Sequence, residues 1–153
     1  MKKIISLLFV IAVFTTGVSA QVLKPVKWQI TQKKVSEGVF DITCTATIEN
    51  TWHLYDTQLP PNGPLPTTFN IDQEETSGIE KVGTFKATTS PQVEHSEAFD
   101  MDVKYFTDKV TFVQRVKLTE DKGKLVGYVE FMACCGGQCI PPAEADFKFE
   151  FSK

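Results

Sequence analysis

Cys134, Cys135 and Cys139 fall within six residues of the stretch "EFMACCGGQCIPP", divided by Gly136-Gly137 and followed by Pro141-Pro142. Sulfur atoms this close admit three chemistries: a structural disulfide, a metal site, or a thiol pair that exchanges reversibly with a disulfide on another protein. Glycine tolerates positive φ, so Gly136-Gly137 suits a tight reversal that brings the flanking cysteines together. Cys134 with Cys139 and Cys135 with Cys139 are both open pairings. A ring between adjacent Cys134 and Cys135 is strained by the planar peptide between them.

A short loop restricts the unfolded chain little, so a bridge here would contribute little as a staple. A metal site would use the three cysteines with His53 or His95 as a fourth ligand. Its spacing is not the usual pair of cysteines two residues apart. Both histidines also have ordinary explanations, His53 beside a tryptophan and His95 on a polar stretch. Reversible exchange is the chemistry that proximity, access and a short loop serve best. Pro141-Pro142 remove two backbone donors just after Cys139, which keeps that cysteine at a sheet edge. No cofactor or bound metal is expected.

The elements that must position these sulfurs are strands. In "VFDITCTATIEN", Phe40, Ile42, Cys44, Ala46 and Ile48 alternate with polar residues, the pattern of a half-buried strand. Cys44 therefore points into the core as a small apolar group. The same period of two runs through Val26, Trp28 and Ile30, then Phe69 and Ile71, then Val110, Phe112, Val116 and Leu118, and finally Phe147, Phe149 and Phe151. Before the cysteines, Val129, Phe131 and Ala133 take one side of a strand, and Tyr128, Glu130, Met132 and Cys134 the other.

No segment has a helical period. Turn signals such as "SEGV", "LPPNGPLP", "TEDKGK" and "CCGGQ" separate the runs. The expected fold is all-β, an immunoglobulin-like antiparallel β-sandwich with an active-site hairpin, and a barrel is the second choice. Thr84 to Phe99, "TFKATTSPQVEHSEAF", has the polarity of a long exposed loop.

The chain opens with Lys2-Lys3, an apolar run from Ile4 to Phe14 and the small residues Val18-Ser19-Ala20. This is the pattern of a secretory signal peptide over residues 1–20, leaving a single domain from Gln21 to Lys153 in an oxidising compartment. Loss of Lys2 and Lys3 leaves 14 basic residues against 19 acidic, a net charge of about −5. No basic patch suits a polyanion, so a nucleic-acid partner is not expected. A monomer is expected.

The residues as a set resemble the N-terminal periplasmic domain of DsbD-type thiol:disulfide interchange proteins, also called a disulfide bond corrector domain. The resemblance is carried by "TATIENTWHLYDTQLPPNGPLPTTF", "YFTDKVTFVQRV" and above all "FMACCGGQCIPP". It implies a periplasmic sandwich with two redox cysteines on a hairpin, without metal or cofactor. These would carry electrons from a membrane-embedded thiol reductase to thioredoxin-fold partners, a task linked to cytochrome c biogenesis. By position, Cys139 would form the mixed disulfide and Cys134 would resolve it. Phe99 would be the aromatic cap, with Glu97 and Asp100 beside it, and Phe106 competes for that place.

Three departures stand out: four residues between the cysteines where the best-known members have five, the additional Cys135, and an end at Lys153. With no membrane domain of its own, the chain would receive electrons from a separate polypeptide. Outside redox transfer, two readings compete. One is a metal-binding, copper-handling module. The other is a non-catalytic interaction module with a structural disulfide. Trp52 and Tyr55 are expected to be a core residue and a sheet-edge aromatic.

Overall fold

The computed structural model describes residues 23–153, so the expected signal peptide lies outside the described residues. The described chain is built of strands and turns, with no helix. In order these are β1 (Val26–Ser36), β2 (Val39–Ile48), β3 (His53–Tyr55), β4 (Thr68–Ile71), β5 (Ile79–Ala87) and β6 (Gln92–Ser96). The second half adds β7 (Met101–Phe106), β8 (Lys109–Leu118), β9 (Lys122–Phe131), β10 (Ala133–Cys135), β11 (Gln138–Cys139) and β12 (Ala143–Ser152). They form three antiparallel sheets, ordered β1-β2-β8-β5, β12-β9-β4 and β11-β10-β3-β7-β6.

The first two sheets face each other, and alternation dictates which residues meet between them. From the first sheet come Ile42, Cys44, Ala46, Phe112 and Val116, each fully buried, and from the second come Leu125, Val129, Phe147 and Phe151. Aromatic rings span the gap, with Trp28 5.3 Å from Phe131, Phe40 4.8 Å from Phe151 and Phe85 5.4 Å from Phe69. The fold is the expected immunoglobulin-like antiparallel β-sandwich with the cysteine hairpin at one end. Cys44 is wholly enclosed, and burial pushes its thiol pKa up to about 12.

A polar residue sits in phase with this core. Gln114 follows Val110 and Phe112 on the inward face of β8 and is 2% exposed. Opposite it, β5 bulges between Val82 and Lys86, which frees a carbonyl from the ladder. Gln114 Nε2 donates to that Val82 carbonyl at 3.2 Å and to the Arg115 carbonyl at 2.8 Å. The amide thus satisfies the backbone that the bulge leaves unpaired.

The segment expected as a long loop, Thr84 to Phe99, is instead largely strand. It holds the end of β5, a bend at Thr88 and Thr89 and all of β6. β6 is an edge strand, exposed at every position but Ser96, so no apolar alternation betrays it in the sequence.

Candidate redox site

The third sheet carries the cysteines, and it is covered on both faces. Leu54, Phe106 and Ala133 point into the main core, where the Phe106 and Phe112 ring centroids are 5.5 Å apart. Their chain neighbours Tyr55, Tyr105 and Cys134 point the other way and, with Val103, form a second, smaller apolar cluster. Leu59, Phe99, Met101, Met132 and Cys139 pack against that cluster. Tyr55 is therefore a buried residue of the central strand, not a sheet-edge aromatic. Trp52 packs against the main core as expected.

The chain enters the third sheet at Met132, the single residue between β9 and β10, where the strand leaves one sheet and joins another. Gly136 and Gly137 then reverse it with φ of 55° and 81°. Positive φ at both central residues is the geometry of the two-residue turn that best fits strand twist, and it favours glycine. The register that follows sets Cys135 against Gln138 and Cys134 against Cys139. In a two-residue hairpin the pair beside the turn is hydrogen-bonded, so the next pair out is the closer, non-bonded one. Cys134 and Cys139 are disulfide-bonded there, with Cα atoms 4.0 Å apart.

Cys135, next along β10, projects to the opposite face. Its thiol lies 3.2 Å from Thr51 Oγ1 and is free. The pairing left open in the sequence is thus decided by alternation: a one-residue step removes Cys135 from the face that Cys139 shares. Past the hairpin, the Ile140 amide donates to the Ala133 carbonyl at 3.0 Å and Ile140 enters the main core. β11 is the sheet's outer strand, the edge position expected from Pro141-Pro142.

A cleft of about 640 Å³ opens over the disulfide, with Cys134 and Cys139 on its floor and the β6–β7 hairpin along its far wall. The tip of that hairpin, residues 97–100, carries the three expected cap residues. Phe99 is half-buried, turns in against the cysteine cluster and meets Tyr55 edge-on with ring centroids 6.4 Å apart. Glu97 lines the cleft and is exposed. Asp100, at φ 50°, is exposed to solvent and pairs with His95 Nε2 at 3.5 Å. Phe106, the competing aromatic, lies on the other face of β7 and is 5% exposed within the main core. Cys134 is 7% exposed and Cys139 is half-buried, so the two residues differ in exposure.

Sequence reasoning did not find the polar wall of this cleft. His53 is the register partner of Cys134 across β3 and β10. Its ring stacks on Tyr105 with centroids 4.1 Å apart, and Nδ1 lies 3.0 Å from Glu94 Oε1. Burial, reinforced by Glu94, raises the pKa of both Tyr55 and Tyr105, so their phenols stay neutral. The missed signal was the period of two in "WHLY": Leu54 in the main core commits His53 and Tyr55 to one opposite face. His95 also borders the cleft, and its ring lies between Asp100 and Asp102. Among the described residues no group of three or more His, Cys, Asp or Glu side chains is arranged to hold a metal ion. His53 and His95, the candidate fourth ligands, are each turned toward carboxylates.

A β-sandwich with a cross-strand disulfide set in a cleft at one end is the architecture of a thiol-disulfide interchange domain. The chain belongs to the family of the N-terminal domain of thiol:disulfide interchange protein DsbD, whose family model matches residues 19–150. Among solved structures it is similar to the N-terminal periplasmic domain of ScsB from Proteus mirabilis, with a TM-score of 0.58 and 17% identity. That match covers 85% of this chain and 47% of the other, so the chain spans about half the length of its structural relative. The reduced N-terminal domain of DsbD from Neisseria meningitidis matches at a TM-score of 0.48 and 13% identity, over 81% of this chain and 86% of that one. No curated protein matches the sequence.

Proposed function

We propose that the chain is a periplasmic thiol-disulfide exchange carrier. It would pass electrons from a membrane-embedded thiol reductase to thioredoxin-fold partners through Cys134 and Cys139. Residues 21–153 would act as one exported domain after removal of the leader. The observation that carries this reading is a disulfide that lines an open cleft with its two cysteines unequally exposed: Cys139 is half-buried while Cys134 is almost covered. Family membership and the periplasmic origin of the ScsB domain support the location and the partner class.

In this mechanism a partner thiolate attacks Cys139 Sγ, the Cys134–Cys139 bond breaks, and Cys134 leaves with the bonding pair. The partner's second thiol then attacks the mixed disulfide, which leaves the partner oxidised and both cysteines reduced. Delivery runs in reverse, with Cys134 resolving the mixed disulfide. Net direction follows the difference in reduction potential, about 30 mV per 1.4 kcal/mol for two electrons. Phe99 limits entry, and the exposed carboxylate of Glu97 beside the cleft disfavours a free thiolate when the pair is reduced. Asp100 belongs to the same turn and pairs there with His95.

The test is reduction of the folded protein by a thioredoxin-fold dithiol followed by alkylation and mass spectrometry. Cys134 and Cys139 should become labelled together and reversibly, while Cys44 stays unlabelled behind its buried, raised thiol. A bridge that opens only when the protein unfolds would make it a structural staple and end the carrier reading.

The cap makes a second prediction. Fully burying a phenylalanine is worth roughly 1.5–3 kcal/mol, so lifting a half-buried ring costs about 1.4 kcal/mol, equivalent to roughly tenfold in access. Phe99→Ala should therefore speed reduction of the disulfide by dithiothreitol about tenfold while lowering Tm by only about 5 °C. An unchanged rate would show that Phe99 does not gate the cleft.

A further inference from the structure

We infer that His53, oriented by Glu94, is the proton donor and acceptor for Cys134 during exchange, an inference that rests on the carrier reading above. Cys134 and His53 are register partners on adjacent antiparallel strands, with side chains on the same face. Such partners have Cβ atoms about 5 Å apart. His53 is fixed on two sides, by the 3.0 Å contact of Nδ1 with Glu94 Oε1 and by the stack on Tyr105. A ring bonded at one nitrogen and stacked on its face cannot swing freely. Nδ1–H donates to the Glu94 carboxylate, which leaves Nε2 as the free nitrogen in the cleft that both cysteines line. A nucleophile, an imidazole and a carboxylate that orients the imidazole make the arrangement used to activate thiols and hydroxyls.

Reduction releases Cys134 as a thiolate into an almost enclosed position, where an unpaired charge is unfavourable. In the forward step the partner thiolate bonds to Cys139 Sγ, the disulfide bond breaks, and its electron pair goes to Cys134 Sγ. The His53 imidazolium gives its Nε2 proton to that sulfur and becomes neutral. In the delivery direction neutral His53 takes the proton back, and Cys134 attacks Cys139 Sγ of the mixed disulfide as a thiolate. The partner sulfur then leaves with the bonding pair.

Other groups do not compete for this role. Tyr55 from β3 and Tyr105 from β7 keep their protons, since burial and Glu94 raise their pKa. Glu94 from β6 is shared between His53 Nδ1 and the Tyr105 hydroxyl. Glu97 and His95 border the cleft from the cap hairpin, but Glu97 is exposed and His95 is held between two aspartates. Cys135 faces the far side of β10. Imidazole is the side chain whose charge normally changes between pH 5 and 8, so its state should be visible in the rate.

The experiment measures reduction of the full mature chain by dithiothreitol from pH 5.5 to 8.5, with each rate divided by the concentration of dithiothreitol thiolate. The wild-type corrected rate should be at least about tenfold higher at the acid end, a modest share of the usual range for general acid catalysis. His53→Gln should give a flat profile that meets the wild type at pH 8.5. Glu94→Gln should lower the acid-end rate several-fold and leave the alkaline end unchanged. It tests the same relay should His53→Gln fail to fold.

A variant profile parallel to the wild type, shifted equally at every pH, would assign His53 a structural role and overturn the relay. A flat wild-type profile with ready reduction would also overturn it, yet leave the carrier reading intact. A disulfide that dithiothreitol cannot reach in the folded protein would remove both.

Discussion

The Cys134→Ala protein is expected to hold a thioredoxin-fold partner as a covalent adduct through Cys139, and the Cys139→Ala protein to hold none. The asymmetry follows from burial, since a partner sulfur must approach in line with the bond it breaks and Cys134 is 7% exposed on the floor of the cleft. Once a mixed disulfide forms, its release in the delivery direction depends on a neighbouring thiol. Oriented neighbouring groups act at effective concentrations of about 10⁵ M or more, so removal of Cys134 should slow that release by at least roughly 10³-fold. The measurement uses a partner that retains only its nucleophilic cysteine, with adducts resolved by non-reducing electrophoresis and the linked residues read by mass spectrometry. Capture by Cys134 in the Cys139→Ala protein, to an equal extent, would reverse the roles assigned to the two sulfurs.

Phe112→Ala should destabilise the fold more than any change at the redox site. The ring is fully buried and lies 5.3 Å from Phe85, 5.5 Å from Phe106 and 6.0 Å from Trp28, at the point where the first and third sheets share a core. Truncating a buried phenylalanine costs about 3–5 kcal/mol, because a cavity remains in addition to the lost transfer free energy. Domains of this size are stable by only about 5–15 kcal/mol, so the loss should lower Tm by roughly 10–20 °C. Thermal unfolding followed by circular dichroism checks it. A fall of only a few degrees would mean that the core collapses around the missing ring.

The sandwich was legible in the sequence because its strands have one wet face. Phe40 to Ile48 and Val110 to Leu118 alternate as a single-sided strand must, and the structure places them at the centre of the first sheet. Gln114 interrupts that pattern, since a polar side chain enters the core only to serve a bulge on another strand. The third sheet was hidden for the opposite reason. Leu54-Tyr55, Tyr105-Phe106 and Ala133-Cys134 are adjacent residues buried on two sides, and a strand with no wet face loses its period. β6, exposed along nearly its whole length, loses it too and reads as a loop.

The hairpin itself was evident from Gly136-Gly137 and the cysteine spacing. The choice between Cys134 and Cys135 was not, because it turns on a register that only the pairing of β10 with β3 and β11 establishes. His53 escaped notice because its meaning is relational. An imidazole acquires a role from the carboxylate of Glu94, forty-one positions along the chain, and from the sulfur across the ladder.

Met132 is the one residue separating a strand of the sandwich from the strand that bears the inner sulfur. Cys134 thereby follows directly from the sandwich, with Ala133 sealed in the interior, while Cys139 lies on a two-residue outer strand. That strand is tethered in turn, because Ile140, the next residue, is buried in the main core and bonds the Ala133 carbonyl. Both ends of the disulfide therefore rest on the same frame, and a docked partner would pull on a sulfur that is presented at the rim yet moored one residue away.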